Sequence, residues 1–130
     1  LAVRTEALRA TDALSTLSPE AKQALMRDAE QNPYTTAYLS ARILGSHGVA
    51  ESITLLRSLI RSEDYMLSGE AMVALARLGD GESRTDIEAV LAGTRNPRLR
   101  TMGTAALELP GSPDSVPVLL DLLREEDPPP

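Results

Sequence analysis

The chain has 130 residues, 42% of them hydrophobic, which suits one domain or one short array with a buried core. Its 13 basic and 19 acidic residues leave a net charge of −6, which argues against a nucleic-acid backbone or an anionic lipid surface as partner. Without Cys there are no disulfides or thiolate metal sites, and without Phe or Trp the core falls to Leu, Ala, Ile, Val and Met, a set suited to closely packed helices.

In residues 1–17, Val3, Ala7, Ala10, Leu14 and Leu17 recur at intervals of three and four, one face of a first helix. Ser18-Pro19-Glu20 joins an N-cap hydroxyl, a proline at the first helical position and an early acid. It starts a second helix with Ala21, Leu25 and Ala29 inward, stopping before Asn32-Pro33. That pair is expected to cap a third helix with Ala37, Tyr38, Ala41 and Leu44 on one side, ending at Gly45 in a left-handed C-terminal position. A fourth helix from about Val49 buries Val49, Ile53, Leu56 and Ile60, with Arg57 and Arg61 beside that stripe. The fifth, 65–78, buries Leu67, Ala71, Leu75 and Leu78 and stops at Gly79; the sixth, 82–92, buries Ile87, Val90 and Leu91. Asn96-Pro97 opens the seventh with Leu99, Gly103, Ala106 and Leu107, cut short at Pro110. Ser112-Pro113-Asp114 opens the eighth with Val116, Leu119, Leu120 and Leu123.

Residues 64–91 lie over 96–123 without a gap at an offset of thirty-two, with Leu67/Leu99, Ala74/Ala106, Leu75/Leu107, Gly79/Gly111, Ser83/Ser115 and Leu91/Leu123 identical. A fixed period in this range is the signature of stacked helical repeats. Junctions recur at Asn32-Pro33, Glu63-Asp64, Asn96-Pro97 and Asp127-Pro128, giving repeats of about 1–31, 32–63, 64–95 and 96–127. The fold expected is all-α: a right-handed α-solenoid, or alpha-alpha superhelix, of four antiparallel hairpins. Because it opens at Leu1 and closes on Pro128-Pro129-Pro130, the chain reads as a piece of a longer protein.

Asn96-Pro97-Arg98-Leu99-Arg100 resembles the D-P-x-V-R opening of the short bacterial HEAT-like repeats first described in phycobilin lyases. Gly111-Ser112-Pro113-Asp114-Ser115 resembles that family's G-D-P-x-A turn, Val116-Pro117-Val118-Leu119 its V-P-x-L second helix, and Ala74-Leu75-Ala76-Arg77-Leu78-Gly79-Asp80 its A-L-x-x-L-G-D segment. Repeat two keeps Ala41-Arg42-Ile43-Leu44-Gly45 and lacks the opening arginine, as does repeat three. The resemblance implies that the second helix of each hairpin lines a concave face. It leaves function open, because that family spans scaffolds, lyases and DNA-repair proteins.

No catalytic constellation is legible. His47, the only histidine, falls in the turn Gly45-Ser46-His47-Gly48, and Glu82, Asp86 and Glu88 sit early in a helix, where acids complement the dipole. Arg95, Arg98 and Arg100 form a basic cluster at an inter-repeat turn, read as a solvated turn or as packing against a neighbouring repeat. Gly69 and Gly103 inside helices point to close approach of a neighbouring helix, and Tyr34, Tyr38 and Tyr65 are the aromatic anchors if exposed. On the concave face the implied binding ridge is Lys22, Arg27, Arg57, Arg61, Arg84, Glu88, Asp121 and Arg124, with Arg57, Arg61 and Arg84 taking partner carboxylates.

The function expected is a non-enzymatic protein–protein interaction scaffold or adaptor that binds a protein or peptide, with no cofactor, metal, nucleic acid or membrane insertion. Two alternatives stay open: a lyase-like small-molecule enzyme or accessory domain, and a passive regulatory or spacer domain of a larger, membrane-attached or free, protein. No run of roughly eighteen apolar residues spans a membrane, and the compartment expected is the cytoplasm. The terminal helices carry no polar caps, so an end-to-end homodimer is expected.

Overall fold

In the computed structural model, residues 5–8 and 16–108 are described. Residues 5–8 are helical. The remainder of the first predicted helix, Pro110, the whole eighth helix and hence the surfaces expected to dimerise lie outside the described residues. All regular structure among the described residues is helical.

Ser18 sets the start of α1, Pro19–Gln31: its Oγ accepts the amide of Ala21 at 3.1 Å, and Pro19 occupies the first turn where its missing donor costs nothing. Leu25 and Ala29 point inward, while Ala21 is only partly covered. The second hairpin begins differently from the expectation. Asn32 turns its side-chain amide back onto Asp28 at 2.7 Å and closes α1 instead of opening the next helix. Residues 33–36 form a turn with Tyr34 at φ 68°, and α2 runs Ala37–Ser46.

The buried carboxylate of Asp28 also accepts the hydroxyls of Thr36 at 2.8 Å and Ser40 at 2.6 Å, which clips α1 to α2. Hydroxyls buried between helices need such an acceptor.

Gly45 is not the left-handed stop. It lies inside α2, fully covered, and a Cβ built on it would sit 2.6 Å from both Cα and Cβ of Ala74. The left-handed residue is Gly48, φ 66°, which has open space around it. A 3-10 turn, Ala50–Ser52, then leads into α3, Ile53–Leu59.

α4, Tyr65–Arg77, is capped by Asp64, whose carboxylate accepts the amide of Leu67. Gly79 at φ 73° turns the chain into a second 3-10 turn, Gly81–Ser83, and α5, Arg84–Gly93. Asn96 Oδ1 accepts the amide of Leu99 at 3.0 Å and starts α6, Pro97–Glu108, as its sequence directs.

The two complete turns share one geometry. Val49 donates to the Leu44 carbonyl at 3.0 Å and Asp80 to that of Leu75 at 3.0 Å, while Ser52 Oγ bonds Val49 O at 2.7 Å and Ser83 Oγ bonds Asp80 O at 2.8 Å. Each pair of equivalents is thirty-one residues apart.

Helices α2, α4 and α6 pack side by side, α2 on α4 and α4 on α6. Small residues permit this closeness: Gly45 meets Ala74, Gly69 meets Met102, and Gly103 meets Leu91 of α5. Both mid-helix glycines singled out from sequence therefore face neighbouring helices. The main core joins Ala37, Ala41, Leu56, Ile60, Leu67, Met72, Leu75, Leu91 and Leu107, and a second cluster holds Leu25, Ala29, Ile43, Leu44 and Val49.

Candidate functional site

Of the described ridge residues, Lys22 and Arg27 lie on α1, Arg57 on α3, Arg61 just past its end, and Arg84 and Glu88 on α5. There the charges are largely engaged with one another, each link stepping forward by one hairpin. Lys22 of α1 lies 3.6 Å from Glu51, ahead of α3. Arg57 of α3 forks onto Asp80, Nε to Oδ2 at 2.7 Å and Nη2 to Oδ1 at 2.6 Å, and reaches Glu82 at 3.2 Å. Arg61, one turn further along the chain, donates to Asp86 of α5 at 3.3 Å.

These links differ in kind. The Asp80 side chain is 7% exposed and held at a fixed turn, so the bidentate contact couples two hairpins. Hydrogen bonding from Arg57 holds the Asp80 carboxyl below the usual carboxylate range against the opposing cost of burial, and the same bond with Asp80 raises the arginine. Arg61 and Asp86 are 63% and 51% exposed and share one long contact, a pair of the kind worth little in water.

Arg57 and Arg61, read from sequence as receptors for partner carboxylates, thus hold carboxylates of their own chain. The acids read as dipole complements, Glu82 and Asp86, supply two of these. Arg27 is exposed and forms no ion pair among the described residues; it borders an open cleft of about 250 Å³ with Asp28, Gln31 and Asn32. Arg84 and Glu88 are half-buried on α5. Asp121 and Arg124 lie outside the described residues.

On the other side, Arg42 places Nε at 3.1 Å and Nη2 at 2.7 Å from Oε1 of buried Glu70, joining α2 to α4, and its guanidinium lies 5.9 Å from the Tyr38 ring centre. No sequence signal marked this pair. The basic cluster divides: Arg95 and Arg98 are exposed, whereas Arg100 is buried and donates to the Thr94 carbonyl at 3.2 Å. His47 is half-buried at the end of α2, where its amide donates to Ile43 O at 2.9 Å.

Sequence reasoning missed two features. Tyr34, an aromatic anchor in the sequence reading and 68% exposed, has an unforeseen backbone: it keeps a positive φ while its amide donates to Asp64 at 2.7 Å, thirty residues away. A second cleft, about 380 Å³, opens where the ends of α3 and α5 meet the start of α4. Periodicity marks buried stripes, not the gaps between helix ends, so neither feature had a signal.

Among the described residues no group of three or more His, Asp or Glu is placed to hold a metal ion. No described helix is long and apolar enough to cross a membrane. Comparison with protein-family models, curated proteins and solved structures gave no match.

Proposed function

We propose that this chain is a HEAT-like α-solenoid segment that serves as a protein-interaction scaffold, with a protein or peptide held along the side formed by α1, α3 and α5. The observation that carries this reading is the turn repeated at Gly48 and Gly79 with the same hydrogen bonds. A repeated turn presents equivalent positions of successive second helices on one side at regular spacing, the arrangement by which stacked repeats bind extended partners. The resemblance of repeats three and four to the short bacterial HEAT-like type points the same way.

Residues whose charge is not spent inside the chain are the ones suited to recognition. Arg27 and Glu88 form no ion pairs among the described residues, and Arg61 has only an exchangeable one. Arg57 is an unsuitable probe, because its removal also breaks the joint to Asp80.

The test is affinity capture from lysate of the source organism with two baits, wild type and Arg27→Glu/Glu88→Arg. Circular dichroism would confirm the fold of each. A defined protein retained by the wild type and lost by the double variant is the expected result. Equal capture by wild type and double variant, or background from both baits, refutes the reading.

A further inference from the structure

Two joints, one where α1 meets the turn before α3 and one where α3 meets the turn before α5, share a backbone and differ in chemistry. Positions thirty-one residues apart are equivalent: Leu25 and Leu56 are both buried, as are Ala29 and Ile60. On that register Met26, Val49 and Leu55 of the first joint correspond to Arg57, Asp80 and Asp86 of the second. Val49 is buried in the second core cluster, and Met26 and Leu55 pack against that cluster. The second joint has instead the Arg57 fork on Asp80, with Arg61 on Asp86 beside it.

Backbone packing does not duplicate that fork. α3 lies on α4, α5 on α6, and α4 on α6, whereas α3 and α5 make little direct backbone contact. The cleft of about 380 Å³ already parts their C-terminal ends. Asp80 stands between Gly79 and Gly81, where an added Cβ would meet nothing within 4 Å, so the turn that carries it has room to rotate.

We infer that the second joint is a charge latch: when Asp80 loses Arg57, the α5–α6 pair tilts on α4 and the gap between α3 and α5 widens, while the first joint stays shut. The driving force is the carboxylate left behind. A buried charge without its partner is costly, and moving the turn carries it out to water. Arg57 is the accessible half of the latch, its side chain 36% exposed and its second acid, Glu82, 83% exposed. A foreign carboxylate that captured the guanidinium would therefore open this joint alone, since the first is apolar at the equivalent positions. The latch goes beyond the scaffold reading and does not depend on it.

Pulsed electron paramagnetic resonance between paired nitroxides reads the gap directly, and the chain has no cysteine to compete for the labels. Ser58→Cys/Ala89→Cys spans the second joint, Gln23→Cys/Thr54→Cys the first, and Arg77→Cys/Glu108→Cys the α4–α6 layer; all six positions are exposed. In Arg57→Ala the Ser58/Ala89 distance should lengthen by more than the about 2 Å that packed helices shift at interfaces, with the other two pairs unchanged. Arg57→Met/Asp80→Val, which gives the second joint the side chains of the first, should keep the wild-type distance.

An unchanged Ser58/Ala89 distance in Arg57→Ala, equal changes in all three pairs, or a gap in Arg57→Met/Asp80→Val as wide as in Arg57→Ala would overturn the proposal. Circular dichroism reports whether each variant folds. Where Arg57→Ala does not, Arg57→Lys keeps the charge without the fork. It should open the same pair by less, and no opening there would equally overturn the latch. The measurement involves no partner, so its outcome and that of affinity capture stand apart.

Discussion

The layer of α2, α4 and α6 and the side built from α1, α3 and α5 join the same hairpins by different physics. In the first, backbones approach through glycine and alanine, Leu44, Met72 and Leu75 are fully covered, and a single ion pair, Arg42–Glu70, adds to the packing among the described residues. In the second, charged side chains reach forward across solvent-facing turns. Burial on one side provides cohesion, while directional ion pairs on the other set which turn meets which helix. The exposed pairs of the second, Lys22–Glu51 and Arg61–Asp86, can exchange their contacts for those of another molecule without opening the core.

The largest expected effect breaks the buried layer. Leu75→Ala should cost about 3 kcal/mol, the lost transfer energy plus the cavity left behind, read from urea unfolding followed by circular dichroism. Gly45→Ala comes next. Its new methyl would strike the backbone of Ala74, so overpacking of about 2 kcal/mol should outweigh the helix-propensity gain. Gly69→Ala is the contrast: its neighbour is the flexible Met102 side chain, and the net change should stay within about 0.5 kcal/mol.

The charged side should separate its two arginines. Double-mutant cycles for Arg57/Asp80 should show a clear stabilising coupling, and those for Arg61/Asp86 less than about 0.5 kcal/mol. Acid sharpens this further. Asp80 has a depressed folded-state pKa, so its contribution is complete above the ordinary carboxylate pKa of about 4 and disappears as pH falls through the lower folded value. Wild type should therefore lose stability relative to Asp80→Asn below that pH, and parallel unfolding curves from pH 6 to pH 2 would contradict the assignment.

The smallest effect concerns Tyr34. Glycine there should relieve the left-handed backbone and gain no more than about 1 kcal/mol, since the unfolded chain also becomes freer. Thermal melts of Tyr34→Gly beside Tyr34→Ala separate backbone relief from loss of the ring.

Short-range chemistry was legible in the sequence wherever it was sufficient. Ser18 and Asn96 cap the helices they precede, because an N-cap side chain acts within three residues. Gly79 turns left-handed as its position after an apolar stripe indicates. Leu67, Leu75, Leu91, Leu99 and Leu107 are buried because helical periodicity places them on one face. The glycines inside α4 and α6 were legible as close approaches because a mid-helix glycine carries a cost that a neighbour must offset.

Tertiary structure alone moved the helix stop from Gly45, the position expected, to Gly48. Gly45 fits a helix stop locally, but it lies inside α2 against Ala74, where its lack of a side chain serves close packing. Tertiary structure also decided the fate of Arg57 and Arg61, whose carboxylates lie 23 and 25 residues away and come within reach only once α3 is stacked against the turn before α5. Caps and periodicity are properties of a single segment; ion-pair partners and clefts are properties of how segments are stacked, and a sequence read one segment at a time contains no distance between them.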